Sequence, residues 1–382
     1  MAKINNQQRL QSIDALRGFV IMIMLVDHVR ETFYMHKQVS DPMSVSETEP
    51  LLFWSRILAH LCAPIFVLLT GISAYLYQMK VQNLAQTRAF LLKRGIFLIL
   101  LELTLVNFAW TATFPPQTIY LQVIWAIGLS MVILALCIGF SKKWLLLFSL
   151  VIIFGHNLLD MLTFKGPLFF EHLWFILHEK AWIEFESLRI RTTYPVLPWI
   201  GVILLGYCLG QLFEPRFTPQ QRDRYLCAIG IASIGLFIIL RMINQYGDHP
   251  WLYHDSFALQ VMSFFNLTKY PPSLFFILFN AGIGLIILVL FQRYIQHKIF
   301  KPLIIFGSVP MFFYLLHLYV LKLCYALCFA IWGNNHGNYF AFNQMQQVWM
   351  MSVVLILLLY PAVTWFSVYK HSHKQYRWLK YF

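Results

Sequence analysis

Long apolar runs separated by short polar segments form the main pattern along the chain. Ten runs are each long enough to cross the roughly 30 Å apolar core of a bilayer as an α-helix. The pattern therefore predicts an all-α fold: a polytopic membrane helical bundle of about ten transmembrane helices, formed by one integral-membrane domain over residues 1–382. The predicted spans cover residues 15–34, 51–78, 89–110, 118–140, 144–163, 195–213, 225–242, 271–292, 303–328 and 346–369.

The positions of the basic residues predict how the chain is oriented. If the N-terminus lies in the cytoplasm, the inner segments hold 19 Lys and Arg residues and the outer segments hold six. Because inner loops of membrane proteins are enriched in Lys and Arg, both termini are predicted to be cytoplasmic. In the outer segment 164–194, residues 169–180 suit a helix that lies at the membrane interface or caps a cavity. The outer loop 243–270 is rich in aromatic residues, which suit either a sugar ligand or an ordinary aromatic belt.

Composition narrows the class of protein further. Of the 382 residues, 59% are hydrophobic and only 12% are charged, against about 25% charged residues in soluble domains. The net charge of +13 comes mainly from the inner segments, and no segment resembles a nucleic-acid-binding module. The expected partner is therefore the lipid bilayer and not nucleic acid. None of the six cysteines forms a CxxC pair, so neither a disulfide nor a metal site is predicted.

The first span carries an ionisable pair, Asp27 and His28, within an otherwise apolar stretch. His28 follows Gly18 by ten residues, which places it roughly 15 Å along the helix and near the middle of the bilayer. Ionisable groups are costly there, so the pair is a candidate functional site; the alternative is a buried pair that only holds helices together. Adjacent residues point about 100° apart, so Asp27 is expected to pair with Arg30 or with a basic group on another helix.

Two further histidines lie inside predicted spans. His60 stands in the outer half of the second span, and His317 stands near the middle of the ninth. Either one alone is more often a hydrogen-bonded packing residue than a catalyst. Antiparallel neighbouring helices could nevertheless gather these histidines and His28 around one polar cavity, where imidazole suits general acid–base chemistry or proton relay.

The predicted cytoplasmic ends of the helices carry basic residues that allow two interpretations. Asp14 is expected to cap the first helix and to share a face with Arg17 at a spacing of three residues. Arg17, Arg94 and other inner basic residues either anchor the topology or hold an anionic cytosolic molecule that carries phosphates. The excess of inner basic residues is consistent with both interpretations.

The first span begins with RLQSIDALRG at residues 9–18 and continues to DHVR at residues 27–30. Other segments that fit the same pattern are HLCAPIF (60–66), TG (70–71), KRG (93–95) with Glu102, YPVLPWIG (194–201), KYPPS (269–273) and PMFFYLLH (310–317). Together these motifs resemble the bacterial relatives of heparan-alpha-glucosaminide N-acetyltransferase. The opening motif also looks like that of the broader integral-membrane acyltransferases.

This resemblance implies a multi-span enzyme that takes an acetyl group from cytosolic acetyl-CoA. The acceptor would be an amino or hydroxyl group across the membrane, on an amino sugar or another envelope glycan. The resemblance implies that His28 is the general base or acyl relay and that Asp27 sets its electrostatics. His60 and His317 are supporting candidates for the same cavity. It also implies location in the inner membrane of a bacterium, and it leaves a homo-oligomer open.

The same resemblance assigns the inner Arg17 and Arg94 to the phosphates of CoA. The sequence departs from the animal enzymes at His28, where those enzymes tend to carry Asn and place their active His later, in the outer loop. His36 occupies roughly that later position here. His28 is preferred as the catalytic residue because a relay must reach into the membrane, and His36 is the alternative. Direct transfer and a covalent acetyl-histidine intermediate both stay open.

Two functions of other classes compete with the acyltransferase. A secondary transporter would use the intramembrane Asp and His as a proton relay, although no inverted repeat is visible in the sequence. A non-catalytic membrane scaffold would explain the spans but would leave the mid-membrane polar groups without a role.

Overall fold

Helices make up most of the protein. A computed structural model describes residues 2–164 and 166–381, with the backbone alone for residues 2–10, 377 and 380. The chain is 71% helical. In chain order the α-helices are α1 (Ala2–Phe33), α2 (Pro50–Ala59), α3 (Cys62–Val81), α4 (Leu84–Leu101), α5 (Asn107–Thr111), α6 (Val123–Cys137), α7 (Lys142–Gly155), α8 (Leu168–Leu177), α9 (Leu197–Leu209), α10 (Pro219–Ile243), α11 (Phe257–Phe265), α12 (Leu274–Tyr294), α13 (Lys301–Ser308), α14 (Pro310–Trp332) and α15 (Met345–Ser372).

Several of these helices are apolar enough to cross a membrane. Within the described residues, six helical stretches have the length and composition of a span: Pro50–Val81, Lys142–Met161, Pro219–Ile243, Leu274–Tyr294, Pro310–Trp332 and Met345–Ser372. These stretches make the chain a multi-pass membrane protein. The count of ten spans and the cytoplasmic position of both termini stay predictions.

The predicted helical fold is confirmed in that the chain is mostly helical, and a small sheet that the apolar pattern did not predict accompanies the helices. Its strands are β1 (Thr118–Tyr120), β2 (Trp182–Glu184) and β3 (Arg189–Arg191), in the order β1-β3-β2. β1 runs parallel to β3 and β2 runs antiparallel to it. The predicted span 118–140 therefore begins with a strand, and its helix starts only at Val123. The apolar run could not reveal this, because the partner of β1 lies far along the chain.

Two predicted spans are each divided into two helices. The span 51–78 consists of α2 and α3, separated by a turn at His60 and Leu61. The span 303–328 consists of α13 and α14, and the break at Val309 precedes Pro310, which has no backbone N–H to continue a helix. Asp14 lies inside α1 and does not cap its start, contrary to the prediction. A helix does form within the outer segment 164–194, as predicted, since α8 covers Leu168–Leu177.

The chain divides into two compact units, which are described separately. One consists of residues 2–62, 253–266 and 287–381, and the other of residues 63–252 and 267–286. In the first unit, α1 packs against α13, α14 and α15. In the second unit, α4 packs against α6, and α7 packs against α9. That the whole chain acts as one domain stays a prediction.

Gly18 of the opening motif lies at a close contact between α1 and α13 in the first unit. A Cβ atom on Gly18 would lie 1.9 Å from the carbonyl oxygen of Leu303 in α13. A Cβ atom on Gly307 of α13 would lie 1.7 Å from the carbonyl oxygen of Asp14 in α1. The backbones of α1 and α13 therefore approach so closely that only glycine fits at both positions, as in other membrane helix pairs with small residues at the contact.

Gly18→Ala is expected to lower the free energy of unfolding by about 3 kcal/mol, because the added methyl group meets backbone that cannot rotate away. Unfolding of the purified protein in detergent measures this change. Gly235→Ala is the matched control, since no atom lies within 4 Å of a Cβ at that helical glycine. Equal stability of the two variants would contradict the close packing of α1 on α13.

Candidate active site

The first unit brings His28 of α1 and His317 of α14 into direct contact. Nδ1 of His28 lies 2.7 Å from Nε2 of His317. The two rings are stacked, with centroids 5.0 Å apart and planes 20° apart. Both residues are buried, since His28 is 7% exposed and His317 is 0% exposed. The structure thus pairs two of the histidines that the sequence singled out, across 289 positions of the chain.

Two neighbouring groups on α14 also contact this pair. Nδ1 of His317 lies 2.7 Å from the backbone carbonyl oxygen of Phe313, one helical turn earlier. The ring of Tyr314 meets the rings of His28 and His317 edge-on, with centroids 5.8 and 5.5 Å away. Tyr314 was not predicted as a site residue. Its position three residues before His317 on one helix was the available signal, because such residues share a face.

Asp27 lies in a buried ion-pair network beside the histidine pair. Its carboxylate accepts hydrogen bonds from Nε of Arg30 at 2.9 Å and from Nη1 of Arg56 at 3.2 Å. Arg30 and Arg56 are only 2% and 5% exposed. Arg30 also contacts Glu31, at 3.1 Å. Asp27 therefore forms both predicted pairs: one with Arg30 on its own helix, and one with Arg56, a basic residue on α2. The two arginines are buried and paired.

His60 lies one helical turn after Arg56, in the same unit. It follows the last residue of α2, and its backbone N–H donates to the carbonyl oxygen of Arg56 at 3.0 Å. The side chain is buried, at 2% exposure. His60 is thus tied to the helix that supplies Arg56 to Asp27. Its membership of one cavity with His28 stays a prediction.

His36 belongs to a different histidine pair from His28. It lies beyond the end of α1, where its ring stacks on His336 at a centroid distance of 4.0 Å and meets Tyr34 edge-on at 4.7 Å. Burial lowers the pKa of His36, and the nearby His336 and Lys37 lower it further, whereas Glu49 opposes the shift. His36 is therefore held in its neutral form to lower pH than a free histidine.

This environment predicts how stability depends on pH. The unfolded chain takes up a proton at His36 near pH 6.5, whereas the folded chain does so only at lower pH. The contribution of His36 to stability should thus be complete above about pH 6.5 and be lost as the pH falls through the pKa of the folded state. Melting temperatures between pH 8 and pH 5 should fall less steeply for His36→Gln than for the wild type. His297→Gln, at an exposed histidine, should show the same decrease in melting temperature as the wild type. The same decrease in His36→Gln would contradict the lowered pKa of His36.

The basic residues assigned to CoA lie in different units. Arg17 on α1 forms an ion pair with Asp14 at 3.1 Å, as its spacing predicted. Both side chains are partly exposed. Arg94 lies on α4 in the second unit, next to Gly95, at which α4 meets Gly128 of α6. Their shared role toward phosphates stays a prediction.

Glu102, which belongs to one of the sequence motifs, is a buried carboxyl group in the second unit. It begins a π-helical turn over Glu102–Val106, directly after α4. One of its oxygens accepts a hydrogen bond from the backbone N–H of Trp125, in the first turn of α6, at 3.0 Å. The residue is 0% exposed. Its observed partner is the N-terminus of a helix, which favours a carboxyl group.

Comparison with known proteins places the chain in a family. Residues 9–242 match the family described as heparan-alpha-glucosaminide N-acetyltransferase, catalytic. The match includes Asp27, His28, Arg56 and His60 and ends before His317. No curated protein matches the chain. Within the described residues, no group of three or more His, Cys, Asp and Glu side chains could hold a metal ion. Because the match spans more than half of the sequence and carries the motifs of α1, the chain belongs to the family of the heparan-alpha-glucosaminide N-acetyltransferase catalytic domain.

Proposed function

We propose that the protein transfers an acetyl group from cytosolic acetyl-CoA to an amino or hydroxyl group on the outer side of a bacterial inner membrane. The acceptor is an amino sugar or another envelope glycan. The observation that carries this proposal is the buried contact between His28 and His317, 2.7 Å apart, inside a chain of this acetyltransferase family. Buried imidazole suits the chemistry, because an amine must lose a proton when it attacks a thioester.

His28 acts as the base in this reaction. The acceptor nitrogen forms a bond to the acetyl carbon, the carbon–sulfur bond breaks, and the imidazole takes the proton that the nitrogen loses. The proton then returns to the leaving CoA thiolate. In a variant of this route, the imidazole first receives the acetyl group and passes it to the acceptor. Asp27 neutralises Arg30 and Arg56 next to the reacting residue and holds α1 against α2.

Arg17 binds the phosphates of CoA on the cytoplasmic side, and the assignment of Arg94, in the other unit, stays a prediction. Guanidinium groups form charge-assisted hydrogen bonds to phosphate oxygens, and Arg17 is partly exposed at the predicted inner end of α1. Its ion pair with Asp14 holds the side chain at the helix surface without burying it. The acceptor side of the membrane would lie toward the other end of α1.

Arg17→Ala is expected to raise the Kd for acetyl-CoA about tenfold, because one charge-assisted contact to phosphate is lost. The KM for the acceptor should stay within twofold of the wild type. Calorimetric titration with acetyl-CoA measures the donor, and initial rates measure the acceptor. Lys143→Ala, at an exposed inner lysine, serves as the control. Unchanged donor affinity in Arg17→Ala would leave Arg17 as an anchor of the topology.

Reconstituted vesicles separate an acetyltransferase from a transporter. Acetyl-CoA is supplied on one side of the membrane and glucosamine on the other. The proposal predicts N-acetylglucosamine on the acceptor side and an equal amount of free CoA on the donor side. A transporter would instead move one of the two compounds without chemical change. Movement without acetylation would overturn the proposal.

A further inference from the structure

The hydrogen bonds of the histidine pair have a fixed direction. The carbonyl oxygen of Phe313 can only accept, so Nδ1 of His317, 2.7 Å away, must donate to it. His317 is 0% exposed and forms no contact with a carboxylate in the described part of the chain, so its ring is most stable when neutral. A neutral ring with its proton on Nδ1 carries a lone pair on Nε2. Nδ1 of His28, 2.7 Å from that nitrogen, must therefore be the donor.

From this chain of bonds we infer that His317 is a positioning residue that fixes the tautomer of His28. The proton of neutral His28 is held on Nδ1, and Nε2 becomes the basic nitrogen. The inference rests on the proposed function, in which His28 is the base. It identifies the atom at which the proton moves, and it assigns the backbone carbonyl of Phe313 as the group that orients His317.

Ring contacts hold the orientation of His28 as well as its tautomer. The stacked ring of His317, at 20° to His28, fixes the plane of the imidazole. Tyr314 contacts both rings edge-on, at 71° and 85°. A histidine ring that rotated freely would place Nδ1 toward the acceptor part of the time and Nε2 the rest, so the basic nitrogen would face the acceptor in only some of the molecules. The packed pair presents one nitrogen only, which is how an orienting group supports a catalytic imidazole.

The same pair stabilises the product of proton transfer. In the reaction, the acceptor nitrogen bonds to the acetyl carbon, the thioester carbon–sulfur bond breaks, and Nε2 of His28 takes the proton. His28 is then a cation with a proton on each nitrogen. Its Nδ1–H bond to the neutral His317 becomes charge-assisted, and such hydrogen bonds are roughly twice as strong as neutral ones. When the CoA thiolate takes the proton from Nε2, the original tautomer is restored.

Two substitutions at one position distinguish this role from simple packing. In His317→Gln, the side-chain oxygen lies near the position of Nε2 and still accepts a hydrogen bond, although it cannot titrate. In His317→Leu, a side chain of similar bulk has no acceptor. We expect His317→Leu to lower kcat about 100-fold and to shift the pH profile of kcat, because His28 then populates both tautomers. His317→Gln should retain kcat within about tenfold of the wild type, and the KM for acetyl-CoA should change little in both variants.

A spectroscopic measurement tests the inference without turnover. Nitrogen NMR of protein labelled in its histidine rings reports which ring nitrogen carries the proton, and subtraction of the His28→Ala spectrum assigns the signals of His28. The expected result is a protonated Nδ1 in the wild type and in His317→Gln. A wild-type His28 that is protonated on Nε2 would overturn the inference, as would equal kcat values for His317→Leu and His317→Gln. Absence of acetyl transfer by a wild type with the expected tautomer would overturn the proposed function and leave the assignment of the tautomer intact.

Discussion

His28→Ala is expected to lower kcat for acetyl transfer by a factor of about 10²–10⁴, the range in which a positioned general base contributes. The variant keeps the remaining contacts of α1, which packs against four other helices of its unit. We therefore expect it to be purified in folded form and to bind acetyl-CoA with nearly unchanged affinity. Steady-state rates with acetyl-CoA and glucosamine, together with a melting curve in detergent, measure both effects.

His36→Ala is the control for this prediction. It removes an imidazole that stacks on His336 beyond the end of α1, and it leaves the contact between His28 and His317 in place. Its kcat should stay close to that of the wild type at pH 7.5. The opposite pattern, an active His28→Ala and an inactive His36→Ala, would move the base to the outer loop.

Asp27→Asn is expected to have the largest effect on stability, with a loss of about 3–5 kcal/mol in the free energy of unfolding. The substitution keeps the size of the side chain but removes the negative charge that Arg30 and Arg56 both contact, at 2.9 and 3.2 Å. Both arginines are nearly fully buried. A buried charge that loses its counter-ion costs far more than an exposed one, because water does not compensate it.

Asp14→Asn is the matched control, because Asp14 and Arg17 also form an ion pair at a spacing of three residues on α1. Their side chains are 28% and 21% exposed, against 7% and 3% for Asp27 and Arg30. Loss of the partly exposed charge of Asp14 should lower the free energy of unfolding by less than about 1 kcal/mol. Unfolding in detergent compares the two variants directly. Similar losses of stability in Asp27→Asn and Asp14→Asn would contradict the burial of the ion-pair network around Asp27.

Much of the fold could be predicted from the length of the apolar runs. A run of about 20 apolar residues can satisfy its backbone within a bilayer only as a helix, so helices appear in each predicted span. Breaks inside runs depend on individual residues and are harder to predict. Pro310 directly follows the break between α13 and α14, and Pro64, which has no N–H to bond to the carbonyl of His60, lies in the first turn of α3, just after the turn between α2 and α3. The sheet was missed because β1 and β3 pair across 71 positions, from Ile119 to Ile190.

The candidate site shows the same limit. Its members were recognisable as costly groups in apolar spans, which is why His28 and His317 were both singled out. Their pairing joins residues 289 positions apart, and it depends on how α1 packs against α14. The burial of Arg56 beside Asp27 depends on the packing of α2 against α1, which the local sequence does not show. The proposed tautomer of His28 depends on the contact between His317 and the backbone carbonyl of Phe313. A pattern of side chains in the sequence does not reveal such a backbone contact.

Transfer of a radiolabelled acetyl group measures both whether the protein is an acetyltransferase and whether His28 is required. Purified wild-type protein and His28→Ala are each given acetyl-CoA labelled in the acetyl group, with glucosamine and an envelope-glycan extract as acceptors. We expect label in an acceptor, or on the protein itself, with the wild type only. Equal labelling by His28→Ala would contradict the role of His28. Absence of labelled acceptor and labelled protein with the wild type, together with no binding of acetyl-CoA by calorimetry, would contradict acetyl transfer as the function.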